Sequence, residues 1–291
     1  MRYDVAIVGS GPAAVSAALT LKLHNKSILW FGSRLLSPKV EKSEKIANYP
    51  GVAMVTGPEL NRLFRLQAEE LGLEITERRV TSILSTRRGF MLQGGDEIYD
   101  AKAVLLATGA VSAKGFDGEE RLLGAGVSYC ATCDGHLYKG RQIAVYCGSK
   151  EFEHEVVYLA ELAEKVWLFT PYADCGVERK NVVRCTERLT KIRGEDRVSG
   201  VMTADGTELP VDGVFVLRNA VAPAALLRGL EMNGPDIAVN RSMETSKPGV
   251  YAAGDCTGRP YQLTKAVGEG NVAAHSILKF LAAKEGTQES I

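Results

Sequence analysis

The sequence predicts an α/β protein of two three-layer domains, the second inserted in the first, and three observations carry that expectation. The stretch YDVAIVGSGPAAVSAALTLKLHNKSILWFG (3–32) reads strand, glycine turn, helix, strand. The stretch RQIAVYCGSKEFEHEVVYLAELAEKVWLFT (141–170) repeats that order at nearly the same length. The C-terminal segment from GVYAAGD (249–255) onward returns to the small, apolar character of the first unit. Each βαβ unit of about 30 residues opens a doubly wound parallel sheet, so both domains are expected to be Rossmann-like. The expected division is 1–112 plus 242–291 for the split first domain and 113–241 for the insertion.

Between the two units, residues 80–100 alternate apolar with polar and carry turn residues at Arg88-Gly89 and Gly94-Gly95, which predicts a small antiparallel meander. The run AKAVLLATG (101–109) predicts a buried strand ending in a tight turn. A second meander is expected over 188–217, with GED and ADG as its hairpin turns. The chain then closes with a strand, a loop and a long helix, and a polar tail from Lys284 that is expected to fray.

Bulk composition removes several classes of function. With 35 basic against 35 acidic residues in 291, the global field is weak, which argues against nucleic acid or a membrane surface as the main partner. No apolar run reaches the roughly 18–20 residues of a membrane span, and MRYDVAIVG does not read as a signal peptide. Six cysteines are too few for a disulfide-stapled secreted domain, so a cytoplasmic setting is expected. Cys147, Cys175, Cys185 and Cys256 are scattered and read as small buried hydrophobes.

The first glycine turn is G-x-G-x-x-A at Gly9, Gly11 and Ala14. Gly9 permits the tight turn, Gly11 lets the backbone approach a pyrophosphate, and Ala14 allows close helix–strand packing. The following helix start offers free N–H groups and the positive end of its dipole. The second strand ends at Phe31-Gly32 without an acidic residue for a ribose, so the Gly32-Ser33 backbone is the expected contact. LLATG (105–109) and GVYAAGD (249–255) resemble the two accessory motifs of two-dinucleotide-binding flavoproteins, which implies FAD, with Asp255 accepting from the ribityl chain.

Cys130 and Cys133 stand as C-x-x-C in YCATCDG, just before the second βαβ unit. Two cysteines so spaced can close a redox-active disulfide. A zinc site needs four ligands, and with no second C-x-x-C or H-x-x-x-H in the chain, even His136 leaves the set short; no metal is expected. Asp134 beside the pair is a candidate proton donor to the leaving thiolate.

Taken together, GSGPAA, ANYPG (47–51), ATG, YCATCDG and GVYAAGDCTGRPYQ resemble the low-molecular-weight thioredoxin reductase family over essentially the whole chain. The resemblance implies a homodimeric flavoprotein whose C-x-x-C passes electrons from FAD to a partner's disulfide. It implies Cys130 and Cys133 as the redox pair and Asp134 as the acid. For FAD it implies Gly9, Ser10, Gly11, Pro12, Ala13, Gly32, Ser33, Asn48, Val80, Ala107, Thr108, Gly109, Gly254, Asp255, Gln262 and Leu263. The ANYPG turn, with Tyr49 and Pro50, would lie near the flavin ring. Tyr261 departs from the family, which usually has Arg before the Gln.

A larger departure lies in the second turn. NADPH-dependent members carry G-x-G-x-x-A there and H-R-R after the next strand. In this chain the small residues are replaced by Cys147, Ser149 and Phe152, and the basic triplet by Thr170-Pro171-Tyr172. Side chains at 147 and 149 keep a pyrophosphate away, and Glu151 and Glu153 put negative charge at a helix end where phosphates need positive. NADPH use is therefore not expected. The combination resembles ferredoxin-dependent flavin thioredoxin reductases, which implies ferredoxin as donor and thioredoxin as acceptor. A ferredoxin near about −400 mV lies roughly 130 mV below a thioredoxin near about −270 mV, roughly 6 kcal/mol downhill for two electrons. Arg34, Lys39, Lys42 and Lys45 are the local basic cluster that an acidic donor could meet, or a solvated loop. Three alternatives stay open: a diflavin-type enzyme, an ordinary NADPH-dependent reductase, and a redox sensor without turnover.

Overall fold

In the computed structural model, which describes residues 2–110, 115–218 and 223–288, the apolar run RYDVAIV forms β1 (Arg2–Val8). Gly11 caps α1 (Pro12–Leu23), with Pro12 at the first helical position, where a missing N–H is harmless. β2 (Ile28–Phe31), α2 (Pro38–Glu41), α3 (Gly57–Glu70) and β3 (Ile75–Thr76) follow. The meander comprises β4 (Val80–Thr86), β5 (Gly89–Gly94) and β6 (Glu97–Leu106). The chain continues through β7 (Val127–Ser128), α4 (Ala131–Asp134), β8 (Gln142–Cys147), α5 (Glu153–Leu162), β9 (Lys165–Phe169) and β10 (Val182–Arg184). Next come β11 (Leu189–Arg193), β12 (Gly200–Thr203), β13 (Glu208–Pro210), β14 (Gly213–Leu217) and α6 (Pro223–Leu226). β15 (Met232–Asn233), β16 (Asp236–Ile237), β17 (Val250–Ala252) and α7 (Leu263–Gln288) complete it.

Two compact units result, Met1–Ser112 with Leu226–Ile291, and Ala113–Ala225. The first unit's sheet runs β3-β2-β1-β6-β5-β4, with β17 also on β6. Here the structure corrects the sequence reading: the third meander strand and the buried strand are one element. The first half of β6 pairs antiparallel with β5 (Gly94↔Glu97 to Phe90↔Ala101), and its second half pairs parallel with β17 (Val104↔Val250 to Leu106↔Ala252). β1 lies along its other edge. The small residues of α1 explain the close layer beneath. Ala13, Ala14, Ala17 and Ala18 are buried, and a Cβ on Gly270 of α7 would stand 2.1 Å from the Ala13 carbonyl oxygen. Gly270 is thus fixed by helix crossing, a role with no signal in the sequence.

The second unit holds a parallel sheet in the order β10-β9-β8-β14-β7 and a three-stranded antiparallel β11-β12-β13. The expected second meander therefore stops at Pro210. GVFVL (213–217) is buried along its whole length, the mark of a central parallel strand.

The return to the first unit also comes earlier than expected, at Leu226 rather than 242. The β15–β16 hairpin belongs with the C-terminal segment: Glu231 N–H donates to Ser246 Oγ (2.9 Å), Ile237 is buried, and Asp236 lies against Gly258. Among the described residues no helix is long and apolar enough to cross a membrane.

Candidate functional site

The first turn is shaped by contacts with two neighbouring loops. Gly9 has φ +119°, and a Cβ there would lie 2.1 Å from the Ala107 oxygen, so ATG and GSGPAA can meet only over a glycine. Ala107 N–H donates to Val8 O (2.8 Å), and Trp30 Nε1 donates to Gly9 O (2.8 Å). Gly11 is different: its φ is −75°, and nothing stands within 4 Å of a Cβ built on it. Its freedom is space rather than conformation, as a close-approaching phosphate requires. Pro12, Ala13 and the buried Ala14 follow on α1. Ser10 Oγ donates to Leu36 O (3.0 Å) and accepts from Ser33 N–H (3.0 Å), and a Cβ on Gly32 would strike Ser10 Cβ at 2.5 Å.

Ser33 N–H is committed to Ser10 and Gly32 N–H to Thr76 O (3.2 Å), so neither amide is left to donate to a ribose. The carbonyl groups and the Ser33 hydroxyl remain.

The C-terminal loop is pinned from below by a pair that sequence reading passed over. Lys265 Nζ donates to Gly254 O (2.9 Å) and Gly258 O (2.8 Å), while Glu269 Oε2 accepts from Gly254 N–H (2.8 Å) and Thr257 Oγ1 (2.9 Å). The two side chains also pair with each other at 3.1 Å, in the i,i+4 spacing that was the available signal. Gly254 sits at φ +89°, and Leu263 opens α7. Asn48 Nδ2 donates to Gln262 Oε1 (3.2 Å), bringing the ANYPG turn to the end of that loop. Lys39 Nζ pairs with Asp255 at 2.6 Å and lies 4.9 Å from the centre of the Tyr261 ring. Buried Asn61 holds α2, which carries Lys39, through Ser37 O (3.1 Å) and Glu41 Oε2 (2.7 Å).

These residues fit a flavin dinucleotide. Gly11 and Gly109 (φ +74°) face open space, and the buried Thr108 Oγ1 has no well-formed hydrogen bond. Val80, buried at the start of β4, completes the expected set. All four members of the basic cluster are exposed; Lys39 is tied to Asp255 and Arg34 to Glu77 (3.6 Å). Cys256 beside Asp255 is fully enclosed; burial pushes its thiol up to about 11, and it donates to Leu106 O (3.4 Å) and Ala253 O (3.3 Å). It is a packing residue, as expected. Cys175 and Cys185 are only partly buried, against expectation.

In the second unit Cys130 and Cys133 form a disulfide with Cα atoms 5.3 Å apart. Cys130 is buried and caps α4, its Sγ accepting from Cys133 N–H (3.2 Å); Cys133 is half-buried. Asp134, also half-buried, ends the same turn, its N–H on Cys130 O (3.3 Å).

The second nucleotide-type turn is occupied by the chain itself. Cys147 Sγ contacts Tyr172 OH (3.2 Å) and donates to Ser149 O (3.3 Å). Tyr172 is fixed by its own carbonyl, which accepts from Thr170 Oγ1 (2.8 Å) and Arg184 Nη2 (2.8 Å). Glu153, the first residue of α5, accepts from Gly176 N–H (3.2 Å), and its other carboxylate oxygen is buried. A carboxylate of the protein thus stands at the helix start. Burial raises the Tyr172 hydroxyl's pKa far above normal, with the Cys147 bond next in effect. Sequence reading identified the loss of glycines and of H-R-R; it did not foresee that Tyr172 fills the turn.

The chain matches the pyridine nucleotide-disulphide oxidoreductase family model over residues 3–157 and 172–270. It is 40% identical to a ferredoxin-flavin thioredoxin reductase from Clostridium acetobutylicum of solved structure, covering 98% of this chain and 99% of that one, with a TM-score of 0.86. A thioredoxin reductase structure from Gloeobacter violaceus is 32% identical over 97% of this chain and 95% of that one, with a TM-score of 0.76. The thioredoxin reductase of Listeria innocua is 30% identical over 96% of this chain and 94% of that protein.

Proposed function

The chain belongs to the pyridine nucleotide-disulphide oxidoreductase family, among its thioredoxin reductase flavoproteins, and from that premise we propose that it is a thioredoxin-disulfide reductase driven by ferredoxin and not by NADPH. The observation that carries the donor assignment is the self-filled second turn, with Tyr172 on Cys147 and the Glu153 carboxylate at the helix start. A dinucleotide would have to displace both and would meet an anion where its phosphates need positive charge. The likeness to the Clostridium acetobutylicum enzyme supports the same donor.

FAD would be held by the residues of the first unit: Gly9, Ser10, Gly11, Pro12 and Ala13 at the pyrophosphate, Gly32 and Ser33 at the adenosine side, and Val80, Ala107, Thr108 and Gly109 along one wall. Asn48, Gly254, Asp255, Gln262 and Leu263 complete the set around the ribityl chain and flavin ring. Bound there, FAD supplies a centre that accepts electrons singly and releases them in pairs, which matches a one-electron donor to a two-electron disulfide. Asp255, paired with Lys39 through Oδ2, would accept from the ribityl chain with its remaining acceptor capacity.

Reduction of Cys130–Cys133 breaks one S–S bond and takes two electrons and two protons. Asp134 delivers one proton to a leaving thiolate. The resulting dithiol then attacks the disulfide of thioredoxin, forming and resolving a mixed disulfide. A cytoplasmic homodimer is part of the same reading.

The test is steady-state reduction of thioredoxin by the FAD-loaded protein under anaerobic conditions, with reduced ferredoxin or NADPH as sole donor. Turnover with ferredoxin and background rates with NADPH are expected. Comparable turnover with NADPH would overturn the donor assignment, and no turnover with either would favour the sensor reading.

A further inference from the structure

Three buried polar residues of the second unit take no part in the sites described above. Glu119 is 2% exposed and Arg218 8%, and they form an ion pair. Glu119 Oε1 also accepts from the hydroxyl of buried Tyr129 (2.8 Å), and Oε2 from Phe116 N–H (2.9 Å). Tyr129 immediately precedes Cys130. Arg218 immediately follows β14, and its Cβ lies over Gly148 in the filled second turn, 3.1 Å from where a Cβ on that glycine would stand.

A second link runs beside the first. Ser128 pairs with Phe215 in the β7–β14 ladder, and its hydroxyl both accepts from Cys130 N–H (3.1 Å) and donates to Cys130 O (3.2 Å). The backbone that leads into the redox pair is therefore held to β14 at two successive residues, Ser128 by ladder and Tyr129 through Glu119 and Arg218.

We infer that Tyr129, Glu119 and Arg218 are positioning residues that hold the Cys130–Cys133 turn in its disulfide geometry and so make the dithiol a stronger reductant. This rests on the reading of Cys130–Cys133 as the redox pair. Opening the disulfide puts two sulfur atoms into non-bonded contact and asks the turn to relax. A buried bracket of hydrogen bonds and one ion pair resists that relaxation in the dithiol form and leaves the disulfide form undisturbed. The two thiols then keep a high effective concentration toward one another, which favours the disulfide at equilibrium and raises the reducing power of the dithiol.

The test is the equilibrium of the FAD-loaded protein with dithiothreitol and its cyclic disulfide at fixed ratios, read by alkylation and mass of the Cys130–Cys133 peptide. In this exchange dithiothreitol loses two electrons and two protons and closes its ring, and the protein disulfide gains them as two thiols. Tyr129→Phe removes one hydroxyl and keeps the ion pair. It is expected to shift the equilibrium about fivefold toward the dithiol, the worth of one typical net hydrogen bond.

The pair Glu119→Gln with Arg218→Met removes the ion pair together and is expected to shift it further. Tyr251→Phe in the first unit, which deletes a comparable bond to Ser276 O (3.3 Å), is expected to leave it unchanged. A Tyr129→Phe equilibrium within twofold of the parent, or an equal shift in Tyr251→Phe, would overturn the inference, whether or not the double variant folds. A parent protein that never forms the disulfide would overturn the inference and the reading of the redox pair together.

Discussion

Two turns in this molecule share one frame and differ in what fills them. Both follow a parallel strand and precede a helix, GSGPAA after β1 and CGSKEF after β8. In the first, Gly11 opens on free space and the side chain of its chain neighbour Ser10 is turned to Leu36 and Ser33. In the second, Cys147 and Tyr172 contact each other on the corresponding ground, and Glu153 stands at the helix start, accepting from Gly176 N–H. The βαβ frame therefore survives without its ligand, because its stability comes from the buried strands and helix face. Val145, Val156, Leu168 and Phe215 are all buried in that second core. A binding site is a set of small absences in such a frame, and side chains that fill them remove the site and keep the fold.

The largest effect is expected at the redox pair, the output that the first turn's flavin would serve and the second turn does not. Cys130→Ser or Cys133→Ser is expected to abolish thioredoxin reduction, by at least about 10³-fold, since neither a thiolate nor a second sulfur can be replaced. FAD content should be unchanged, because both residues lie in the second unit. Absorbance at flavin wavelengths and a turnover assay check both halves.

Next in size is Gly9→Ala. Its Cβ would stand 2.1 Å from the Ala107 oxygen at a backbone φ of +119°, so the turn must move off ATG. Loss of most bound FAD is expected, with a fall in stability of about 2–3 kcal/mol. The matching change in the second turn, Cys147→Gly with Ser149→Gly and Phe152→Ala, is expected not to create NADPH use. Tyr172 and the Glu153 carboxylate stay in place, and nothing at 170–172 meets a 2′-phosphate. Flavin bleaching by NADPH in that variant would break the comparison.

A smaller effect is expected from Tyr172→Ala. Burial holds the Cys147 thiol above its ordinary pKa, partly offset by the Tyr172 bond. Opening the turn should expose the sulfur to water, and maleimide labelling of Cys147 should quicken about tenfold relative to the parent. Cys256, fully enclosed, should stay unlabelled in both and serves as the internal control.

The smallest is an acid-range effect at the start of β1. Burial alone would raise the Asp4 carboxyl, but hydrogen bonds from Lys102 and Ser27 more than offset it, and its pKa lies below the usual value. A depressed folded pKa means that stability is present above the unfolded value near about 3.9 and is lost as pH falls through the folded one. Asp4→Asn should lower stability by about 1–2 kcal/mol at neutral pH and should flatten the acid limb of a melting-temperature profile.

How much of this could be read from residues alone varies by element. The two βαβ units, the C-x-x-C and the first turn were legible because each is a local pattern whose chemistry depends on spacing. The continuity of β6 was not: Asp100 and Ala101 are adjacent in one strand, but one half of that strand faces a hairpin and the other a parallel neighbour. That division comes from β17, a partner more than a hundred residues away. β14 was misplaced because hairpin turns before it suggested another meander strand, although its unbroken apolar run already carried the opposite signal. The Lys39–Asp255 pair, the Lys265–Glu269 pin and the Glu119–Arg218 pair are tertiary, and only the i,i+4 spacing of the second left a trace in the sequence. Tyr172 reads in the sequence as a lost basic residue and not as a plug, since a sequence records what is absent from a motif more readily than what moves in.

The central claim is that the second turn is closed to NADPH. It is tested most directly by anaerobic titration of the FAD-loaded protein with NADPH, followed by reduced ferredoxin, watching the flavin absorbance. An unchanged spectrum through millimolar NADPH and bleaching on addition of ferredoxin is the expected result. Rapid bleaching by micromolar NADPH would contradict it, and would mean that Tyr172 and Glu153 move aside to let a dinucleotide bind.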